Sequence, residues 1–345
     1  MLDRHLRLTR RDFPDLPERA LEFFGKSQCA TTAQGAFIGR TIEDFIHSFN
    51  PTRSAELERR GPAGHVVEAI LSRLAASGIL IRLTASLGGI EVFNTRYMNI
   101  NEGNEFNRNI ANFVGYGFPC VMDAYEASTL QIVVHGPEKL ESGTAFATQA
   151  NSLMTAAHCL KEARAIQIIG FKKSDVTGSR IFLARREATD CAMIFLPADL
   201  MKGRQMPLWQ HAEALEEVIL LGYPNIPTLL SVQLAEKANV STILRGGVAR
   251  EVADIFNVEL LLVTAPVRGG FSGGPVINSS GLVVGMVSRQ PFTQLDQAEI
   301  QRYDAAGFGL AIPTKTLLDF TSGINANDRS IFEERDQSSF EWLDG

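Results

Sequence analysis

Three short segments place a serine, a histidine and an aspartate in settings that suit catalysis. Ser272 lies in the glycine-rich run 269–275, where a backbone without side chains can approach a ligand closely. His158 follows the small residues 155–157, and Asp190 directly precedes an apolar run. Taken singly, the glycine-rich segment is as typical of a plain turn. A histidine in such a setting is more often structural, and an aspartate at a strand start is usually a turn former.

Taken together, the three residues predict acyl transfer. A serine hydroxyl is a weak nucleophile at neutral pH and needs a neutral imidazole to accept its proton. The imidazole in turn needs an acid that fixes its tautomer. We therefore predict that Ser272 is the nucleophile, His158 the general base and Asp190 the acid that orients it. The peptide N–H groups of the glycine run can also converge on a developing oxyanion.

Seven segments, in the expected order, resemble the trypsin-like serine proteases of the chymotrypsin fold, and among them the HtrA/Deg type of bacterial protease domain. The segments are 142–146, 155–158, 190–193, 222–224, 271–275, 285–288 and 309–313. The resemblance covers residues 118–322 and implies an all-β double six-stranded barrel. His158 and Asp190 would come from the first barrel and Ser272 from the second.

The same resemblance implies roles for further residues. The backbone N–H groups of Gly270 and Ser272 would form the oxyanion hole. An edge that pairs with the substrate backbone by strand addition would consist of Val287, Ser288 and Arg289.

The primary pocket would have its floor near Pro266 and Val267, with Ala306 or Gly307 on the opposite wall. No acidic residue falls at this floor. We therefore expect a preference for small or aliphatic residues before the scissile bond, rather than for Arg or Lys.

Two residues depart from the pattern of secreted trypsin-like enzymes. Phe271 stands where those enzymes have an aspartate that captures a new N-terminus after cleavage, so we expect no activation of that kind. Cys159 finds no partner cysteine in residues 143–147, which fits a cytosolic enzyme. Only some 25 residues follow Phe320, so we expect no PDZ domain of the kind that follows the protease in the HtrA group.

Short apolar runs separated by Gly, Pro and Asn predict about ten to twelve strands in the protease segment. The runs are 130–134, 144–147, 165–169, 181–184, 193–196, 218–222, 229–234, 258–264, 283–288 and 309–312. Residues 323–345 form an acidic C-terminal tail, for which we expect a short helix or a mobile arm.

Residues 1–117 have a different pattern and predict a mainly helical domain. Helices are expected at 17–24, 32–49 and 66–76, followed by strands at 79–84 and 90–94, and then a linker helix or loop at 101–116. This order resembles a winged helix. The segment holds 14 Lys and Arg against 13 Asp and Glu, and helix 66–76 contributes only Arg73. The balance favours protein interaction or regulation over DNA binding.

The composition is that of a globular protein. The chain has 345 residues, of which 45% are hydrophobic and 21% charged, and this excludes a disordered chain. Its net charge of -6 argues against a dedicated nucleic-acid-binding protein. No apolar run approaches the ~20 residues of a membrane span, and the N-terminus has no apolar signal core. We expect no membrane association.

Four scattered cysteines predict reduced, mostly buried thiols in a cytoplasmic protein. No His, Asp or Glu cluster has metal-ligand spacing, so we expect neither a metal nor a cofactor.

The sequence as a whole predicts an α+β chain that acts as an intracellular, bacterial-type serine endopeptidase on a protein or peptide substrate. A regulatory protein partner would bind residues 1–117, as in a stress or defence effector. One alternative is a non-catalytic protein-binding module on the same scaffold, in which Phe271 collapses the oxyanion loop. Another is a DNA-binding regulator that cleaves itself, for which salt-dependent binding to duplex DNA would be required.

Overall fold

The chain divides into two compact units, Met1–Val121 and Met122–Gly345. The computed structural model describes residues 2–35, 37–49, 62–83, 86–87, 90–91, 96–137, 139–186, 189–224, 232–244, 259–265, 267, 269–288 and 307–345. No helix in this described part of the chain combines the length and the apolar character that crossing a bilayer requires.

Helices and very short strands make up the described residues of the first unit. Its helices are α1 (Leu2–Asp12), α2 (Leu16–Phe23), α3 (Ile42–Ser48), α4 (Gly64–Ala76) and α5 (Glu105–Tyr116), with a 3-10 helix at Lys26–Gln28. Its strands are β1 (Ala30–Thr31), β2 (Phe37–Ile38), β3 (Arg40–Thr41), β4 (Ile81–Leu83), β5 (Ser86–Leu87), β6 (Ile90–Glu91) and β7 (Arg96–Met98).

The described short strands of the first unit form three small antiparallel sheets, one of them β1 with β2, and the winged helix stays a prediction. β3, β7 and β4 form an antiparallel sheet in that order, and β5 pairs with β6 as a hairpin between β4 and β7. From α2 to β7, the described elements follow in the order α2, the 3-10 helix, β1 to β3, α3, α4 and β4 to β7. Aromatic rings pack beneath this sheet, with Phe24 against Phe45 and Tyr97.

The predicted helices 17–24 and 66–76 are confirmed by α2 and α4, whereas the predicted helix 32–49 begins only at Ile42. Thr41 and Asp44 form a capping box there, in which each side chain accepts a hydrogen bond from the other's backbone N–H. Such a box marks a helix start because it satisfies N–H groups that the first turn leaves unpaired. The chain before Thr41 forms β2 and β3 instead.

The second unit opens with a helix and then consists mainly of strands. α6 (Phe118–Glu126) spans the division between the units, so the strands begin about ten residues later than the change of pattern suggested. The other helices are α7 (Ala157–Lys161), α8 (Lys173–Val176) and α9 (Thr314–Asn325), with a 3-10 helix at Gln337–Ser339.

The strands of the second unit form two sheets. The first has the order β21-β12-β13-β10-β9-β8-β11-β22, and the second the order β14-β19-β18-β15-β16-β17-β20. The first sheet comprises β8 (Thr129–His135), β9 (Leu140–Gln149), β10 (Ser152–Ala156), β11 (Ala165–Ile168), β12 (Arg180–Ala184), β13 (Cys191–Phe195), β21 (Phe332–Glu334) and β22 (Glu341–Trp342). The second comprises β14 (Leu208–Trp209), β15 (Glu217–Gly222), β16 (Leu234–Leu244), β17 (Leu260–Val263), β18 (Pro275–Asn278), β19 (Leu282–Ser288) and β20 (Gly309–Pro313).

Pairing of β19 with β20 closes six strands of the second sheet into a barrel. Strand interiors such as β10, β18, β19 and β20 are buried throughout, because each barrel packs its side chains inward and lies against other elements on its outside. The predicted fold class, a double-barrel unit preceded by a helical region, is confirmed. Residues 229–231 of the predicted run 229–234 lie outside the described residues.

The C-terminal segment differs from the expected short helix or mobile arm. β21 pairs with β12 and β22 pairs with β11, so the segment adds a strand at each edge of the first sheet. Strands of two or three residues are too short to show the alternation of apolar and polar residues that predicts a strand. They exist here because the neighbouring edges supply hydrogen-bond partners.

Candidate active site

Strand pairing in the first barrel places Asp190 beside His158. β10 and β13 are antiparallel, and Ala156 at the end of β10 faces Cys191 at the start of β13. The residues one step beyond, Ala157 and Asp190, therefore also meet, and the Ala157 N–H donates to the Asp190 carbonyl at 3.1 Å. His158 follows in the first turn of α7.

The Asp190 carboxylate accepts three hydrogen bonds. Oδ1 accepts the backbone N–H of His158 at 2.9 Å, and Oδ2 lies 2.8 Å from His158 Nδ1. The Ser288 hydroxyl donates to Oδ2 as well. An ionised carboxylate can accept all three bonds because it carries only acceptor positions. The Asp190 backbone has a φ of +38°, in the left-handed region, which Asp adopts more readily than most residues.

Ser272 lies in a tight loop that leads into β18. Gly273 has a φ of +85°, and a methyl group there would come within 2.1 Å of the Thr144 carbonyl oxygen. Only glycine fits that combination of backbone angle and close approach. The Thr144 N–H donates to the Ser272 carbonyl at 2.8 Å, which ties the loop to β9 of the first barrel. The Ser272 side chain is nearly buried, at 6% exposure.

Two N–H groups of this loop have no acceptor among the residues that the structure describes. Among the residues that the structure describes, those of Gly270 and Ser272 donate to no other group, although both residues are buried. Buried N–H groups almost always donate a hydrogen bond, so two neighbouring N–H groups without an acceptor need an explanation. Thr144 Oγ1 donates to the Gly270 carbonyl at 2.6 Å and accepts the Tyr223 N–H at 3.0 Å. The hydroxyl thus fixes the orientation of the neighbouring peptide.

Phe271 is an anchor on the inner side of the loop. Its ring is 2% exposed and belongs to the core of the second barrel, with Val218, Leu220 and Val284. A methyl group at Gly222 would lie 2.7 Å from Phe271 Cδ1, so the absence of a side chain there makes room for the ring. The ring therefore fills the barrel interior and does not enter the cleft.

Cys159 lies between the two barrels. Its Sγ is 3.6 Å from His158 Nε2 and 3.9 Å from the Ser272 carbonyl oxygen. A methyl group at Gly143 would come within 2.9 Å of this sulfur. None of the four cysteines forms a disulfide bond; Cys159 and Cys191 are buried, and the other two are half-buried.

The surroundings of His158 shift its pKa. Burial of the ring favours the neutral form and lowers the pKa, but contacts with Cys159 and Asp190 outweigh burial and raise the pKa above 6.5. His158 Nδ1 faces Asp190, so Nε2 is the ring nitrogen that is left to exchange a proton with a reacting group.

The predicted substrate-binding residues have different outcomes. The Val287 N–H donates to Gly274 and its carbonyl accepts from Gly273, so its backbone is used inside the barrel rather than at an edge for substrate. The loop after Ser272 therefore occupies both backbone groups of Val287, and a role of this residue in substrate binding stays a prediction. Ser288 reaches Asp190 through its hydroxyl, a contact that the sequence did not predict. Val267 is half-buried, while Arg289 lies outside the described residues.

Thr144 is the other residue that the sequence analysis passed over. It lies inside the quoted segment 142–146, but nothing in the segment shows that its hydroxyl points towards the glycine loop. Among the described residues, no group of three or more His, Cys, Asp or Glu side chains could hold a metal ion.

Comparison with known families identifies the barrel unit. Residues 143–286 match the family of the trypsin-like peptidase domain. The chain carries a trypsin-like peptidase domain. This match confirms the predicted resemblance and the predicted enzyme class, a serine endopeptidase. No curated protein sequence is measurably similar to the chain.

Several solved protease structures are similar to the peptidase domain. The active form of the Rv3671c protease from M. tuberculosis is 21% identical, with a TM-score of 0.44, and the match covers 58% of this chain and 81% of that one. The HtrA-type protease AlgW with a tripeptide is 16% identical, with a TM-score of 0.43 and coverages of 59% and 62%. The serine endoprotease from Yersinia pestis is 14% identical, with a TM-score of 0.42 and coverages of 60% and 66%.

Proposed function

We propose that the peptidase domain cleaves peptide bonds through an acyl-enzyme, with His158, Asp190 and Ser272 as its catalytic triad. The observation that carries this proposal is the double hydrogen bond from the backbone and ring of His158 to the Asp190 carboxylate. Such a bond holds the imidazole in one tautomer and one orientation. The Cys159 thiol contacts both the His158 ring and the Ser272 carbonyl oxygen.

The reaction follows from these positions. His158 Nε2 takes the proton of the Ser272 hydroxyl as Oγ attacks the substrate carbonyl. The unpaired N–H groups of Gly270 and Ser272 bind the oxyanion that forms, each contributing roughly 3 kcal/mol of transition-state stabilisation. The protonated His158, stabilised by Asp190, then gives its proton to the leaving amine. Water then attacks the acyl carbonyl while His158 Nε2 takes its proton. His158 returns that proton to Ser272 Oγ as the acid product leaves.

The residue before the scissile bond is small or aliphatic in this proposal. Val267 lies at the predicted floor of the primary pocket, and a methyl group at Gly309 would come within 2.1 Å of Val267 Cγ2. The valine side chain therefore occupies space above the Gly309 backbone. A long or aromatic substrate side chain would have to displace it.

The first unit acts as a protein-binding regulator of an intracellular enzyme in this proposal, as in a stress or defence effector. Arg73, the one basic residue of α4, donates from Nη1 to the Gly115 carbonyl at 3.1 Å. Its guanidinium is thus engaged within the unit. A helix with no other cation has little to offer DNA phosphates, and this supports a protein partner.

Labelling with a fluorophosphonate probe tests the proposed triad. We expect one adduct on the purified full-length protein, mapped by peptide mass spectrometry to Ser272. Ser272→Ala should abolish the adduct, whereas Ser279→Ala, which removes an exposed serine beyond β18, should retain it. A folded wild-type protein without any adduct would contradict the proposal.

A further inference from the structure

The last strands of the chain hold both edges of the first sheet. β21 pairs with β12 through Phe182 and Glu334, and β22 pairs with β11 through Ile166 and Trp342. Only residues 335–340 connect the two strands. Six residues span at most about 20 Å, so the two sheet edges must lie within that distance. We call residues 332–342 the clasp.

The clasp is anchored by aromatic side chains. Phe332 is buried, and its ring centroid lies 5.3 Å from that of Phe182. Phe340 and Trp342 belong to the core of the first barrel, with their ring centroids 5.5 Å apart. Burial of three such side chains stabilises the segment against the sheet, because it removes their apolar surface from water.

Arg335 lies at the centre of the clasp and points inward. Its backbone N–H donates to the Ile181 carbonyl at 2.8 Å. Its guanidinium donates from Nη1 to the Leu160 carbonyl and from Nη2 to the Ala163 carbonyl. The guanidinium carbon also lies 5.0 Å from the Phe340 ring centroid. Burial lowers the pKa of this half-buried arginine, which nevertheless stays charged at neutral pH.

Of the two carbonyls that Arg335 binds, that of Leu160 lies in the last turn of α7 and that of Ala163 lies two residues beyond the helix. This helix has five residues, Ala157–Lys161, and its first turn contains His158. A helix of this length does not persist by itself, and its last carbonyls have no partner within the helix. A cation at this end also complements the helix dipole. Asp190 holds the N-terminal end of the same helix through the N–H groups of Ala157 and His158.

We propose that Arg335 is a positioning residue for His158, which it holds in place by anchoring the C-terminal end of α7. The role rests on the proposed function, since it matters for turnover only if His158 is the general base. Loss of the two bonds lets α7 shift against Asp190. A displacement of about 1 Å at a catalytic group can cost on the order of 100-fold in rate.

Arg335→Met tests this role in the full-length protein, because methionine keeps the apolar stem and removes the donors. We expect kcat on a peptide substrate to fall about 10- to 100-fold with KM nearly unchanged. The acid limb of the pH profile should move to lower pH, because a looser contact with Asp190 raises the pKa of His158 less. Deuterium exchange of peptide 157–163 should accelerate, and this readout does not depend on activity.

Arg180→Met is the matched control. Arg180 binds Glu334 of the clasp through two hydrogen bonds of 2.6 and 3.0 Å but makes none to α7. We expect its kcat, pH profile and exchange of peptide 157–163 to stay at the wild-type level. An equal loss of kcat in both variants would overturn the specific role of Arg335, as would an unchanged Arg335→Met.

If Arg335→Met does not fold, Arg335→Lys replaces it, since lysine keeps the charge and one donor. Intermediate kcat and intermediate exchange would support the role, and wild-type values of both would overturn it. If the wild type itself does not react with the fluorophosphonate probe, the proposed function fails. The exchange comparison of Arg335→Met with Arg180→Met then still decides whether Arg335 anchors α7.

Discussion

At the scale of single residues, Cys159 and Asp190 are the two neighbours that raise the pKa of the His158 ring. Asp190 binds Nδ1, Cys159 lies next to Nε2, and Ser288 binds the same carboxylate oxygen as the ring. Asp190 lies on the Nδ1 side of the ring, and Ser288 acts on the ring only through Asp190. Cys159 acts on the nitrogen that must take up the proton, and it therefore affects the base most directly.

Loss of a triad member should remove nearly all turnover. We expect Ser272→Ala and His158→Ala each to lower kcat by about 10⁴- to 10⁶-fold, because each member is useless without the other. The double variant should be no slower than either single variant. Steady-state kinetics on a peptide substrate measure this, with thermal unfolding as the control for folding. Multiplicative losses in the double variant would contradict a joint mechanism.

The pH dependence should report the raised pKa of His158. Protonated His158 cannot accept the Ser272 proton, so kcat/KM should rise with pH and reach half its maximum above pH 6.5. Cys159→Ala removes one of the contacts that raise the pKa, so its midpoint should lie lower than that of the wild type. A midpoint that does not move in Cys159→Ala would exclude any influence of the thiol on the base.

The contribution of His158 to folding stability should change with pH in the direction opposite to the activity. Because the pKa of His158 is raised in the folded state, its protonation stabilises the folded protein fully below about pH 6.5. That contribution is lost as pH rises through the folded-state pKa. The enzyme therefore gains activity over the pH range in which this contribution declines.

At the scale of elements, the loop 269–275 is held from two sides. Thr144 on β9 binds both the Gly270 carbonyl and the Tyr223 N–H, which links the loop to the first barrel and to the end of β15. Phe271 holds the loop from the interior of the second barrel. The loop gains its order from a buried ring and a hydroxyl, with no ion pair to a new N-terminus.

Truncation of the ring should loosen this loop. We expect Phe271→Ala to cost about 3–5 kcal/mol of unfolding free energy and to slow fluorophosphonate labelling of the folded fraction. Leu261→Ala, a fully buried position in the same core, is the control. It should lose stability by about 2–5 kcal/mol and keep its labelling rate. Equal labelling rates in the two variants would show that Phe271 serves stability alone.

At the scale of the whole molecule, the chain joins a mainly helical unit to a peptidase unit. The exposed residues of α4 include His65, Glu68 and Ala76, and Arg73 binds within its own unit. This helix therefore presents no basic surface of the kind that follows a nucleic-acid backbone. A regulatory protein is the partner that this composition favours.

Removal of the first unit should change the activity of the peptidase. A chain that begins at Phe118 keeps α6 whole and retains every residue of the proposed triad. If the first unit restrains the enzyme, this chain should react with the fluorophosphonate probe faster than the full-length protein. Equal labelling rates and equal kcat would contradict regulation of the catalytic site by the first unit, provided that circular dichroism shows both chains to be folded.

The sequence by itself determined the peptidase fold and the candidate triad. Ser272 and His158 lie in short segments whose glycines and small residues are required locally, and Asp190 starts the strand that pairs with β10. Long strands such as β15 and β19 contain an apolar run that predicts a strand without knowledge of the strands beside it. Features of this kind depend on contacts close in the chain or on one strand register.

Only the tertiary structure decided how the remaining groups are used. β21 and β22 exist because the edges of β12 and β11 offer hydrogen bonds, and the capping box at Thr41 ends the extended chain before α3. Val287 and Ser288 are adjacent in one strand, yet the loop after Ser272 binds the first and Asp190 binds the second. Arg335 meets the helix of His158 across about 175 residues of chain. Such pairings depend on where the barrel brings distant backbone groups together, which no local pattern records.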